Sequence, residues 1–130
     1  MSDKINIALL GLGAVGENFA EHFLEIIQEG GKPIEIVAVA SRHLDSPVAL
    51  GFQQSGVAVF EDALDVVKMG DKVDIIFDLT GKAEIRQALR QGLQASDNRH
   101  TVIAPEVMAK LLWMFFGDNG DLGEGKGGGY

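Results

Sequence analysis

The stretch that decides the fold is Ile5–Asn18, which reads INIALLGLGAVGEN. It begins with a short, almost entirely apolar run, as expected of a parallel strand that is buried on both faces. The glycine pattern G-x-G-x-x-G follows at Gly11–Gly16, and apolar residues at helical spacing come next. A strand, this pattern and a helix, in that order, form the context in which the glycines indicate dinucleotide binding.

Each glycine of the pattern has a physical task in such a site. Gly11 allows a tight turn, Gly13 lets a pyrophosphate approach the backbone, and Gly16 lets the helix pack closely against the strand. The N-terminus of the helix adds N–H groups and a partial positive charge for the phosphates. We therefore predict that all three glycines belong to a cofactor site. The alternative is a glycine-rich turn that serves packing alone.

Strands and helices alternate along the rest of the chain. Strands are predicted at 5–10, 34–40, 57–60, 73–79 and 100–104, and helices after the glycine pattern and at 61–69, 82–95 and 106–116, with a weak helical signal at 48–55. This alternation implies an α/β, Rossmann-like fold with a doubly wound parallel sheet and helices on both faces. We expect the strand order 3-2-1-4-5, which places a ligand crevice at the carboxyl ends of strands 1 and 4.

The composition of the chain indicates its domain organisation and argues against some classes of partner. We expect a dinucleotide-binding domain over 1–117 and a flexible, glycine-rich tail over 118–130. The formal charge of −8 argues against a nucleic-acid partner. No apolar run approaches the 18 residues of a membrane span, and the chain has no cysteine, so a cytoplasmic location is expected.

The ends of the second and fourth strands supply the remaining candidate contacts. Ser41-Arg42 follows the second strand, where NAD-selective sites carry an acid. A hydroxyl and a guanidinium suit a 2′-phosphate, so NADP is favoured over NAD. Thr80-Gly81 closes the fourth strand and could contact the diphosphate or the nicotinamide-side ribose. The alternatives are a solvated Arg42 and a plain turn at Thr80-Gly81 that caps the next helix.

No catalytic group stands out in this sequence. His22 is expected to face solvent, and His43 and His100 lie at strand ends without metal-ligand spacing. Asp78 sits in an otherwise apolar strand, so we expect it near the strand end, hydrogen-bonded, or on the opposite face. The predicted site therefore has no catalytic residue and no metal.

The last predicted helix is apolar almost all round. Lys110 is the only polar side chain between Val107 and Phe116. The widest apolar stripe is predicted to face the core, which leaves Trp113 and Phe116 toward solvent. Exposed aromatic side chains of this size usually mark an interface, so we expect a homodimer or a partner protein there.

The sequence resembles the N-terminal NAD(P)-binding domain of homoserine dehydrogenases, with aspartate dehydrogenases as near relatives. The matching stretches are IALLGLGAVGENF, VAVASR, VDIIFDLTG and HTVIAPEVMAKLL. The resemblance implies cofactor contacts from Gly11, Gly13, Ala14, Val15, Arg42, Thr80 and Gly81.

Two departures from that family bear on activity. The family typically has Ala-Asn-Lys after the fifth strand, with the lysine near the active site, whereas this chain has Ala104-Pro105-Glu106. The family also has a second domain that supplies substrate-binding and catalytic residues. We therefore expect a cofactor-binding or sensing module that is not a complete enzyme alone. The alternatives are a cofactor subunit or truncated part of an NADP-dependent oxidoreductase, and a domain that kept the fold but lost the ligand.

Overall fold

The computed structural model describes residues 4–115, with all of their side chains except those of Ala14 and Val15. The elements in chain order are β1 (Ile5–Leu10), α1 (Ala14–Gly30), β2 (Ile34–Ala40), α2 (Pro47–Gln54), β3 (Ala58–Phe60), a 3₁₀ segment (Ala63–Lys72), β4 (Ile75–Asp78), α3 (Ala83–Ala95), β5 (Val102–Pro105) and α4 (Glu106–Phe115). The predicted domain end at 117 and the predicted tail at 118–130 lie outside the described residues. Within the described range, no helix is long and apolar enough to cross a membrane.

The five strands form one parallel sheet in the order β3-β2-β1-β4-β5. This confirms the predicted α/β class and strand order. β1 lies in the centre and pairs with β2 on one side and β4 on the other. The chain runs outward from β1 to β2 and β3 and then crosses back to β4 and β5 on the other side of β1. The strand order therefore reverses between β1 and β4, which opens a crevice at their carboxyl ends.

Helices cover both faces of the sheet. On one face, Phe19 and Phe23 of α1 pack with Phe77 of β4 and Trp113 of α4. On the other face, the 3₁₀ segment and α3 contribute a second cluster that includes Leu89. Because both faces are buried, β1 reads as a nearly continuous apolar run.

Three predicted elements differ from the observed ones. The helix expected at 61–69 is the 3₁₀ segment, which is interrupted at Gly70 with φ 65°. β4 and β5 are shorter than predicted, with four residues each. β5 also ends one residue later than predicted, at Pro105. β5 is an edge strand, where a proline is tolerated because its missing N–H need not pair.

The predicted orientation of α4 is wrong. Trp113 is buried, with 6% of its surface exposed, and its ring lies edge-on to His22 of α1 with the centroids 4.8 Å apart. The exposed apolar face instead consists of Val107, Met108, Leu111, Met114 and Phe115, which are 41–79% exposed and are called the α4 face below. Phe116 lies outside the described residues. His22 is accordingly half-buried and does not simply face solvent.

Candidate functional site

The glycine loop after β1 is held between the ends of β2 and β4. The N–H groups of Gly11 and Leu12 both donate to the carbonyl oxygen of Ala40, at 3.0 and 3.2 Å. Gly11 has φ 87°, and a Cβ there would lie 2.9 Å from the Leu79 carbonyl carbon and the Thr80 nitrogen. Only glycine fits this conformation and this close backbone approach.

α1 begins directly against the end of β1. A Cβ on Gly16 would lie 2.2 Å from the carbonyl oxygen of Gly11, well inside any real contact. Gly13 is the N-cap of α1 in an extended conformation, with φ −92° and ψ −158°. The Gly13 carbonyl oxygen accepts the first helical hydrogen bond, from the Glu17 N–H at 2.7 Å. The three glycines therefore form one compact strand–turn–helix junction.

The start of α1 differs from the starts of two other helical segments. The Ser46 hydroxyl caps α2 by accepting from the Ala49 N–H at 3.1 Å, and Asp62 caps the 3₁₀ segment by accepting from the Leu64 N–H at 2.9 Å. Gly13 has no side chain that could do the same for α1. The positive end of the α1 dipole therefore meets the crevice without a side-chain cap.

In the turn after β2, Ser41 is buried and Arg42 is exposed. Ser41 is only 2% exposed, and its hydroxyl accepts from the His43 N–H at 3.0 Å and lies 3.3 Å from the His43 carbonyl oxygen, to which it donates. Arg42 is exposed. The Ser41 hydroxyl is thus used within the turn, whereas the Arg42 side chain is available to a ligand at the carboxyl end of β2.

The end of β4 carries a buried carboxyl group that the predicted site left out. Asp78 is the last residue of β4 and is 1% exposed. Its Oδ1 accepts from the Thr80 N–H at 3.1 Å and from the Thr80 hydroxyl at 2.6 Å. The Thr80 Oγ1 in turn accepts from the Lys82 N–H at 3.3 Å, and Gly81 between them has φ 70°. Asp78 is therefore both at the strand end and hydrogen-bonded, as two of its expected placements require.

The amino ends of the strands carry a separate polar cluster. The Asn6 backbone N–H donates to Asp74 Oδ2 at 2.7 Å, and His100 Nε2 contacts Asp74 Oδ1. The Asn6 hydrogen bond, followed by the one from His100, lowers the pKa of Asp74 below its usual value. A cavity of about 630 Å³ lies at this edge, lined by Gly70, Asp71 and the 96–100 turn. This lining comes from the end of the 3₁₀ segment and from the turn after α3, at the edge of the sheet opposite to the glycine loop.

All predicted site residues lie at the carboxyl edge of the sheet. The list comprises Gly11, Gly13, Ala14, Val15 and Gly16 after β1, Ser41 and Arg42 after β2, and Thr80 and Gly81 after β4. Asp78 is the residue that sequence reasoning did not include, although a lone acid in an apolar strand directly before Leu-Thr-Gly was a usable signal. Among the described residues, no group of three or more His, Asp or Glu side chains could hold a metal ion.

Comparison with known proteins places this geometry in a family. Residues 11–109 match the family described as homoserine dehydrogenase, NAD binding domain. The chain belongs to this family. A homoserine dehydrogenase of Methylobacillus glycogenes is 32% identical over 119 residues, which cover 86% of this chain and 27% of that relative. The chain thus spans about a quarter of the length of the curated relative that it matches.

Solved structures give the same result. The S. aureus homoserine dehydrogenase at pH 7.0 superposes with a TM-score of 0.55 at 27% identity, over 89% of this chain and 30% of that one. The homoserine dehydrogenase of Thiobacillus denitrificans superposes with a TM-score of 0.50 at 25% identity, over 88% of this chain and 26% of that one. The resemblance stated from the motifs is confirmed, and the chain is a NAD-binding domain of the homoserine dehydrogenase type.

Proposed function

We propose that this domain binds a nicotinamide dinucleotide across the carboxyl ends of β2, β1 and β4, with its diphosphate at the start of α1. The observation that carries the proposal is the junction at Gly13, where α1 begins without a side-chain cap next to the end of the central strand. Uncapped N–H groups and the helix dipole favour an anion there. Because Gly16 packs directly against Gly11, backbone atoms form the surface of the site at this junction.

We further propose that NADP is preferred over NAD, through Arg42. The guanidinium follows β2, where a carboxylate would select for the unphosphorylated ribose. An exposed arginine offers several donors in a fixed plane, which suits a 2′-phosphate. Ser41 contributes by holding the turn that presents Arg42, because its hydroxyl already bonds to His43.

In the cell, we propose that the domain acts as a cytoplasmic cofactor-binding or sensing module. The alternative is that it is the cofactor-binding part of an NADP-dependent oxidoreductase of the homoserine or aspartate dehydrogenase type. Membership of the homoserine dehydrogenase family favours this second function. The position where that family is expected to carry a lysine holds Glu106, the half-buried first residue of α4, which favours the first.

We also propose that a second copy of the chain covers the α4 face. Its five apolar side chains are 41–79% exposed on one helix, whereas the opposite side of that helix, with Ala109 and Trp113, is buried. Contiguous exposed apolar side chains of this size usually mark an interface, and a two-fold dimer is the commonest way to cover one.

Titration calorimetry tests the cofactor site. We expect one dinucleotide per chain for the unmodified protein. Gly13→Asp places a carboxylate at the N-cap, where it accepts from the helix N–H groups and repels a phosphate. We expect the affinity to fall at least about tenfold while the fold is kept. The control Gly51→Asp adds the same charge at an α2 position where a Cβ meets nothing within 4 Å. Equal affinities for both variants would contradict the proposed site.

A further inference from the structure

Thr80 has no hydrogen-bond donor left for a ligand. Its N–H and its hydroxyl both donate to the same oxygen, Asp78 Oδ1, at 3.1 and 2.6 Å. Its hydroxyl oxygen then has two lone pairs, of which one accepts from the Lys82 N–H at 3.3 Å. One lone pair remains, so the Thr80 side chain can only accept a further hydrogen bond.

The carboxylate behind Thr80 has unused acceptor capacity of its own. Asp78 Oδ2 is shielded from solvent and has no hydrogen-bond partner within the described part of the chain. A carboxyl oxygen buried in this way is unfavourable unless a hydrogen-bond partner reaches it. The Thr80 hydroxyl thus offers an acceptor and no donor. A phosphate is a poor match for this hydroxyl, because phosphate oxygens are acceptors as well.

The topology indicates which part of a dinucleotide lies here. β1 lies between β2 and β4, so the glycine loop after β1 occupies the middle of the crevice. The residues that follow β2 and β4 lie at its two ends. The proposed function assigns the diphosphate to the glycine loop and the 2′-phosphate end to Arg42 after β2. The remaining nicotinamide half then lies over the loop after β4. Its ribose hydroxyls and its carboxamide NH₂ are hydrogen-bond donors.

We propose that Thr80 Oγ1 accepts a hydrogen bond from the nicotinamide half of the dinucleotide, and that Asp78 is the positioning residue that fixes Thr80 as an acceptor. This inference rests on the proposed dinucleotide binding and resolves the role of Thr80 within it. The diphosphate is then bound by the glycine loop without the Thr80 hydroxyl. Asp78 acts through Thr80, because it takes the hydroxyl proton that would otherwise be available to a phosphate.

Calorimetry of the full chain with three ligands tests this assignment. The ligands are the tighter-binding of NADP and NAD, the matching ADP-ribose, and the matching ADP. Thr80→Val keeps the side-chain shape and removes the hydroxyl oxygen. We expect it to weaken the dinucleotide about fivefold to tenfold and to leave ADP within about twofold. Loss with ADP-ribose as well identifies the ribose as the donor, whereas loss with the dinucleotide alone identifies the carboxamide. Thr80→Ser should rescue the affinity that Thr80→Val loses.

A double-mutant cycle tests the positioning role of Asp78. Asp78→Ala should weaken dinucleotide binding in the unmodified protein and have little further effect in the Thr80→Val background, because its influence passes through Thr80. Equal losses for all three ligands in Thr80→Val would assign Thr80 to the diphosphate and overturn the inference, as would no loss at all. A chain that binds none of the ligands would instead overturn the proposed function, and the inference with it.

Discussion

Replacing Gly16 by alanine tests the junction between β1 and α1. The new Cβ would lie 2.2 Å from the Gly11 carbonyl oxygen and 3.1 Å from the Gly11 carbonyl carbon. Both atoms belong to backbone, so no flexible side chain can move aside. Because ordinary contacts of this kind begin near 3.4 Å, the helix must move away from the strand by about 1 Å.

Displacing a packed helix in this way costs about 1–3 kcal/mol or more of the free energy of unfolding. Gly51→Ala is the matched control, since it makes the same substitution inside α2 where a Cβ meets nothing within 4 Å. Alanine in an open helical position stabilises by about 0.5–1 kcal/mol relative to glycine. Because Gly16 also lies in a helix, this gain applies to both variants, and they should differ in stability by about 1–3 kcal/mol.

Urea denaturation followed by tryptophan fluorescence measures this difference. Trp113 is the single tryptophan of the chain, is buried, and lies against His22 of α1, so its emission reports on the packing of α4 with α1. Gly16→Ala should unfold at a lower urea concentration than the unmodified protein, and Gly51→Ala at a similar or higher one. Coincident midpoints for the two variants would refute the close approach of α1 to β1.

Three further substitutions have defined outcomes. Arg42→Ala should weaken NADP by about 1–3 kcal/mol and leave NAD nearly unchanged, measured by calorimetry; equal losses would contradict the 2′-phosphate role. Asp74→Asn should lower the free energy of unfolding at pH 7 by about 1 kcal/mol. The Asn6 N–H, with a neighbouring histidine, lowers the pKa of Asp74 below 3.8, so the stabilisation is present above that pH and is lost as the pH falls through the lowered pKa. In urea titrations, the difference in the free energy of unfolding between the unmodified protein and Asp74→Asn should be smaller at pH 3 than at pH 7. A difference of equal size at both pH values would contradict this role of Asp74. Met114→Glu with Phe115→Lys should give a folded monomer that still binds cofactor, whereas an unmodified protein that already sediments as a monomer would exclude the dimer.

Local patterns were sufficient for the sheet. β1 and β2 have the predicted bounds, because each is an apolar run with a single polar residue near its start, Asn6 or Glu35, and polar, glycine or proline residues on both sides. The strand order followed from the position of the glycine pattern after the first strand. The limits of β4 and β5 were predicted less well, since the two strands pair only over Ile75–Asp78 and Val102–Pro105 and this register does not follow the limits of their apolar runs.

The orientation of α4 could not be obtained from its own pattern. Apolar residues surround this helix, so counting the widest apolar stripe does not identify the buried side. The buried side is instead decided by shape. Ala109 and Trp113, four residues apart, fit against the sheet and α1, and the larger stripe is left outside. That fit depends on residues about 90 positions away, such as His22.

The candidate site could be predicted only where its residues follow from local sequence patterns. Glycine positions and the residues after strands 2 and 4 are local signals, and all of them lie at one edge of the sheet. The direction of the hydrogen bonds at Thr80 was not predictable, because it depends on the Asp78 side chain turning into the loop. An acid inside an apolar strand marked the position without revealing its role.

The most direct test of the central claim is to map dinucleotide binding onto the backbone by nuclear magnetic resonance of the isotope-labelled chain. Titration with NADP should shift the amide signals of Gly11–Glu17 and Thr80–Lys82, which lie at the carboxyl ends of β1 and β4. The signals of Gly70, Asp71 and the 96–100 turn, around the cavity at the amino edge, should stay in place. Shifts confined to that cavity, or no shifts at saturating dinucleotide, would contradict the account.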